Sequence, residues 1–493
     1  MIGITAYGAY IPRLRLARKT IVDANAWYAA GFAGKAKGTR AFVNFDEDSI
    51  TLAVAAARDC LGPDDDRSHV AGVILASGTL PFAERLNAGV VCEALTLPET
   101  VDASDATGSQ RAALSAFVQA VATVAADGGA HSVLVVAADA RRARPASTQE
   151  LDFGDGAAAV LIGARDVLAE YLGRGTVTAD FVDHFREAGE DIDYYWEERW
   201  VRDEGIAKLV PQAVESALRA AGIDAGRVNH FIFPCMFAKM DQQVAQRCGV
   251  RSDAVADQLS ASVGDTGVPH ALLMLAQILE KAESGQVVVL AQFASGAEAI
   301  VLRITDRIRT FKPVNGVSRW LGQGIEEASY VKFLAFKGQL DLDRGMRGEQ
   351  DRKTALTTAY RHRTAILGLV AGRSESTGRI HFPPSRLSLI DGGGSEHGLD
   401  TQRPYKLAER RAHVLSWSAE FLSFHRSPPH TYGQVDFIGG GRILMEFTDV
   451  GHGDIDVGTE VKMVFRIKDI DDRRGFTRYF WKATPVRLSI SEQ

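Results

Sequence analysis

Two Thr-Gly turns carry the residue types best suited to chemistry. The first lies in "DASDATGSQRAALSAF", residues 102–117, where Asp105 stands two positions before Thr107. The second lies in "GDTGVPHALL", where Asp265 precedes Thr266 and His270 falls one turn into the following helix pattern. An imidazole there suits general-base work, and a packed interface histidine is the alternative. A carboxylate beside a helix start serves either as an acid/base group or as an N-cap. Threonine is a poor nucleophile without an activating base, and Thr107 can equally cap the helix that follows it.

Those turns need elements to aim them. Up to residue 305 the chain alternates strand-like and helix-like segments: "HVAGVILAS" as a buried strand, "SQRAALSAFVQAVATVAADGG" as a helix ending in glycines, "HSVLVVAAD" as the next strand. That alternation predicts an α/β fold with helices covering a sheet. The order then repeats as "GDTGVPHALLMLAQILEKAESG", "QVVVLAQFA" and "SGAEAIVLRI". Thr107-Gly108 overlays Thr266-Gly267, Arg111 overlays His270, and Leu114 overlays Leu273. We read an internal duplication whose two Thr-Gly turns face one centre.

Composition bounds the rest. The 493 residues are 46% hydrophobic and 24% charged, with a formal net charge of −6. No basic stripe points to nucleic acid, and no apolar run is long enough for a transmembrane helix. Cys60, Cys92, Cys235 and Cys248 are too scattered for a disulfide framework or an obvious zinc site. The expectation is a soluble, cytoplasmic protein. From about residue 408 the pattern changes to short alternating runs divided by glycine turns, such as "GQVDFIGGGRILMEFTD" and "TEVKMVFRIKDI". That reads as a small five-stranded barrel.

With these segments in view, nearly all of residues 1–345 resemble 3-hydroxy-3-methylglutaryl-CoA synthases of the archaeal and bacterial type, within the thiolase superfamily. The resemblance rests on "GAYIPRLRL", "DEDSITLAVAAARDCL", "TLPFAERLNAGVVCEAL", "DFGDGAAAVLIG", "GDTGVPHALLMLAQIL" and "SYVKFLAFKGQL", in that order. The remainder resembles the acyl-CoA-associated OB-fold proteins that accompany thiolases. Together they imply a duplicated thiolase-like αβαβα sandwich followed by an OB-fold β-barrel. The expected boundaries are 1–165 and 166–345 for the two halves, 346–400 for a linker and degenerate zinc ribbon, and 401–493 for the barrel. Ser374, Thr377, Ser385 and Ser388 stand where the ribbon family has cysteines, and hydroxyls do not hold structural zinc. A metal-free ribbon is therefore expected, with no permanently bound cofactor.

The synthase family works through a cysteine, a histidine and a glutamate. Their positions fall on Thr107, Pro234 and Gly78, so the resemblance implies that all three are missing. Asp265 replaces a family asparagine and cannot donate a hydrogen bond unless its pKa is raised; otherwise it has become a base. By the same resemblance His184 borders the pocket and Lys239 contacts CoA phosphates. Asp265, His270, Asp105, Thr107 and His184 are thus the catalytic candidates and Lys239 the CoA contact. The first reading is a carbon–carbon lyase, a retro-aldolase on a 3-hydroxyacyl-CoA. The alternatives are a condensing acyltransferase using Cys235 and an inactive CoA-ester-binding scaffold. The implied partners are an acyl-CoA thioester and a second copy of the chain.

Overall fold

The computed structural model describes residues 1–349, 355–388 and 400–487. A nine-stranded mixed sheet runs through the first 305 residues. Its strands in chain order are β1 (Gly3–Tyr10), β2 (Val70–Ala76), β3 (Asp102–Ala106), β4 (Ser132–Asp139), β5 (Gly156–Gly163), β6 (Ala169–Thr178), β7 (His230–Ile232), β8 (Val287–Phe293) and β9 (Gly296–Ile304). Across the sheet they lie in the order β7-β8-β9-β6-β1-β5-β4-β2-β3. β4 and β5 read as nearly unbroken apolar runs because helices cover both faces of the sheet.

The expected repetition is visible in the strand pairing. In the first half β4 runs antiparallel to β5 and parallel to β2, which is parallel to β3. In the second half β8 runs antiparallel to β9 and parallel to β7. Val255 pairs in parallel with Phe231 of β7, at the place that β3 occupies in the first half. The halves join where β1 pairs with β6 over two residues.

Four helices matter for the site. α1 (Ser49–Leu61) begins in a capping box formed by Asp48 and Thr51. It packs so closely on β1 that a Cβ on Gly8 would lie 2.2 Å from the Cys60 amide nitrogen. α2 (Asn87–Ala94), α3 (Ala112–Ala126) and α4 (His270–Leu279) follow the three turns discussed below. The duplicated helix of the first half therefore starts four residues later than Gly108, and Thr107 does not cap it; Arg111 occupies the cap position.

After residue 345 the chain forms a three-stranded sheet from Val370–Ser374, Ile380–His381 and Gln402–Lys406. The hydroxyls at two of the expected cysteine positions bond each other: Thr377 Oγ1 donates to Ser374 Oγ at 2.8 Å. Ser388 accepts instead from Thr401, at 3.2 Å. Residues 389–399 of the expected ribbon lie outside the described residues. Among those described, no cluster of histidine, cysteine or acidic groups forms a metal site.

The last unit is a five-stranded antiparallel sheet of β10 (Ala412–Glu420), β11 (His430–Phe437), β12 (Arg442–Glu446), β13 (Glu460–Asp471) and β14 (Phe476–Pro485), in the order β12-β11-β10-β13-β14. Phe447, just past β12, pairs in parallel with Ala483 of β14. The two outer strands thus meet. Charge holds this unit to the first. Arg466 is buried between Glu47 at 2.6 Å and Asp449 at 2.8 Å, Lys482 pairs with Asp46 at 3.0 Å, and the Tyr479 hydroxyl donates to Asp48 at 2.6 Å.

Candidate active site

Arg141 is the centre around which the site is built. It follows the apolar strand β4, at the carboxyl edge where open α/β sheets place ligands. Its guanidinium donates to Asp265 at 2.9 Å and to the Tyr195 hydroxyl at 2.7 Å, and it lies 3.4 Å from the Phe153 ring centroid. Burial would lower the Arg141 pKa, but Tyr195, Asp265 and Asp193 raise it above its ordinary value.

That pairing decides what Asp265 is. Burial pushes its carboxyl up, yet Arg141, His270 and the Gly267 amide outweigh burial and hold it below the ordinary aspartate value. The expected alternative of a protonated, donating Asp265 is overturned: it is a carboxylate that anchors an arginine. Gly267 next to it sits at φ +75°, and a Cβ there would lie 2.8 Å from Asp139. Only glycine fits both the left-handed backbone and the close approach.

His270 does not keep a free nitrogen. Its Nδ1 accepts from the Thr266 amide at 3.1 Å, and its Nε2 lies 2.9 Å from the Gln258 carbonyl, which can only accept. Those two partners fix the neutral tautomer, and burial lowers the imidazole pKa further. The expectation that His270 is a general base therefore gives way to a packed role. Asp105 is similarly occupied. Its two oxygens accept from the Asn87 amide, the Asn87 side chain and the Ala88 amide at 2.8–2.9 Å, so it pins the start of α2. Thr107 is exposed and, among the described residues, forms no side-chain hydrogen bond that would activate it.

His184 has the geometry of a base. It lies on a short hairpin, His184–Phe185 paired with Tyr194–Tyr195. Its Nδ1 is 2.7 Å from Asp183 Oδ2, so Nδ1–H donates to the carboxylate and Nε2 is left as the acceptor. Nε2 points to the Gln110 amide at 3.1 Å, and the ring stacks on Tyr195 with centroids 5.1 Å apart. The hairpin is also tied down by Arg186, which donates to the Gly78 carbonyl and to Asp193. The loops holding Gly78, Thr107 and Asp265 therefore all reach this hairpin or Arg141.

Asp139, at the end of β4, ties two of these loops together. It accepts from Ser77, from the Gly78 amide and from Thr79 on one oxygen, and from the Val268 amide on the other. Asp265 and His270 line a cleft of about 280 Å³, together with Cys235, Lys239, Gln258 and Arg18, among others. Lys239 is exposed at its rim, in the left-handed backbone region at φ +62°. Burial pushes the Cys235 thiol up to about 12, which leaves it without thiolate character.

Sequence reasoning missed Arg141, Tyr195 and Asp183. The signal was present for Arg141, since "AADARRARP" puts charges directly after a buried strand. Nothing in sequence spacing foretells that Tyr195 meets Arg141 or that Asp183 bonds the ring of its neighbour His184.

No family model matches the chain. In sequence it is 26% identical over 354 residues to the hydroxymethylglutaryl-CoA synthase of Methanocella arvoryzae, covering 69% of this chain and 99% of that protein. It is 27% identical over 343 residues to that of Aeropyrum pernix, covering 69% and 94%. Among solved structures, an HMG-CoA synthase complexed with CoA superposes with a TM-score of 0.60 at 17% identity, covering 72% of this chain and 94% of that one. The 3-oxoacyl-(acyl carrier protein) synthase III of Pseudomonas aeruginosa PAO1 superposes at 0.55 and 21% identity, covering 62% and 98%. The fold is thiolase-like, and the chain is similar in sequence to hydroxymethylglutaryl-CoA synthases. No helix among the described residues is long and apolar enough to cross a membrane.

Proposed function

We propose that the protein is an acyl-CoA carbon–carbon lyase that cleaves a 3-hydroxyacyl-CoA by a retro-aldol reaction, without a covalent acyl-enzyme. The observation that carries this is the Asp183–His184 pair at 2.7 Å, with Nε2 directed at the loop that bears Thr107. Once the 3-hydroxyl takes the place of the Gln110 side-chain amide at His184 Nε2, that nitrogen removes its proton, the C2–C3 bond breaks, and its electrons enter the thioester as an enolate. Arg141, fixed by Asp265, and the backbone N–H groups of the glycine turns supply positive charge for that enolate. The proton held by His184 returns to C2, giving a shortened acyl-CoA and a carbonyl product. Lys239 at the cleft rim holds CoA phosphates. Acyl-CoA as the substrate class follows from the likeness to CoA-dependent synthases.

The same reading makes the C-terminal sheet an OB-fold barrel, closed through Phe447 and Ala483. It also makes the protein at least a dimer through the edge strand β3, since an open edge is a liability. A condensing reaction through Cys235 is the weaker alternative, because burial disfavours its thiolate.

The test compares cleavage of 3-hydroxyacyl-CoA by variants. His184→Gln is expected to lower turnover about 10²–10⁴-fold, the usual contribution of a general base. Thr107→Ala and Cys235→Ala should each stay within a few fold of the parent protein. Loss of activity in Cys235→Ala with survival of His184→Gln would replace the lyase by the condensing enzyme.

A further inference from the structure

A second cavity, of about 740 Å³, lies between the thiolase-like unit and the C-terminal sheet. Its walls combine charged side chains with an apolar set: Leu86 and Val90 at α2, Leu356 and Ile366 from the two short helices that follow residue 354, and Phe476 and Phe480 of β14. Its volume falls within the ~300–1,000 Å³ typical of small-molecule sites. It shares no lining residue with the Asp265 cleft.

Arg85 sits in its wall. The guanidinium lies over the Phe82 ring at 4.6 Å and the Phe476 ring at 5.0 Å, one ring from each unit. Among the described residues, Arg85 Nη1 is buried with no hydrogen-bond partner and no carboxylate pairs with it. The other cations of the wall are satisfied. Arg363 pairs with Glu93 and Glu99, Arg478 with Asp469, and Lys468 with Glu446. A buried donor without an acceptor is a standing free-energy penalty that an incoming anion would relieve. One guanidinium fork matches one carboxylate.

We propose that this groove binds an amphipathic monocarboxylate, with its apolar body between α2 and β14 and its carboxylate on Arg85. Calorimetric titration of the full-length protein with dodecanoate, and with 1-dodecanol as the uncharged control, tests it. Dodecanoate is expected to bind saturably at one equivalent per chain and more tightly than dodecanol. Arg85→Gln should weaken dodecanoate by about tenfold or more while leaving dodecanol nearly unchanged. Ala359→Trp, on the half-buried wall, should weaken both. A diazirine analogue of dodecanoate should label the wild-type peptides around Leu86 or Phe476, which needs no variant to fold. Absence of saturable dodecanoate binding, labelling elsewhere, or indifference to both substitutions would overturn the proposal. So would sedimentation showing that Ala359→Trp breaks a dimer that dodecanoate cannot enter, since the groove then holds a second copy.

Discussion

His184 and His270 make opposite predictions although both were candidate bases. His270 spends both nitrogens on backbone groups, the Thr266 amide and the Gln258 carbonyl, so removing it should cost stability more than chemistry. His270→Leu leaves a buried amide and a buried carbonyl unpaired, each costing about 1–3 kcal/mol. Its pH signature has a definite sign. The folded pKa lies below the unfolded value, so the unfolded chain takes up the proton first on acidification. The stabilisation is present above about pH 6.5 and is lost as pH falls. Thermal melts between pH 7.5 and 5 should therefore fall more steeply for the wild type than for His270→Leu. Parallel curves would show that His270 does not titrate with folding. The sequence made His270 conspicuous because an imidazole beside the Asp265 turn suits general-base work. It could not show that Gln258, twelve residues away, supplies the carbonyl that occupies Nε2. The reverse holds for His184, whose partner Asp183 is its direct neighbour yet whose role depends on Gln110 and Tyr195 folding onto it.

At the scale of elements, the strands and helices were largely legible and their joints were not. β4, β5, β8 and β9 are apolar runs of strand length between glycine turns, so their periodicity and punctuation fix them. The repeated Thr-Gly turns matched in type, but the helix after Gly108 starts at Ala112, one residue later than its counterpart, which starts at His270 after Gly267. Asp105 belongs to this scale. It accepts three hydrogen bonds from the start of α2, so Asp105→Ala should free that helix end at a cost of about 0.5–2 kcal/mol. Hydrogen exchange should rise in residues 87–94 while turnover changes only modestly. A loss of turnover on the scale of a missing base, with α2 still protected, would return Asp105 to the chemistry.

At the scale of the molecule, the two units are joined through one acidic segment. Asp46, Glu47 and Asp48 receive Lys482, Arg466 and Tyr479 from the C-terminal sheet. Asp48 also caps α1, whose first residue Ser49 donates to the Thr79 carbonyl, and Thr79 reaches Asp139. The docking thus continues by hydrogen bonds to the candidate site. Arg466→Met would leave Glu47 and Asp449 buried without their cation, a change that typically costs 3–5 kcal/mol. The expected result is an earlier melting transition and faster proteolysis between residues 400 and 412, with activity falling alongside. Unchanged melting would mean that the interface does not depend on this charge. The charge pattern of "NFDEDS" gave no hint of this role in sequence, because acidic runs are usually solvated.

Cleavage of a carbon–carbon bond without an acyl-enzyme leaves its mark on both the CoA ester and the protein. A 3-hydroxyacyl-CoA is incubated with the pure protein in deuterated water, and both the CoA esters and the intact protein are weighed by mass spectrometry. The expected result is a shortened acyl-CoA carrying one deuterium at C2, an equimolar carbonyl product, and a protein of unchanged mass. An uncleaved substrate together with protein that has gained the mass of an acyl group would contradict it.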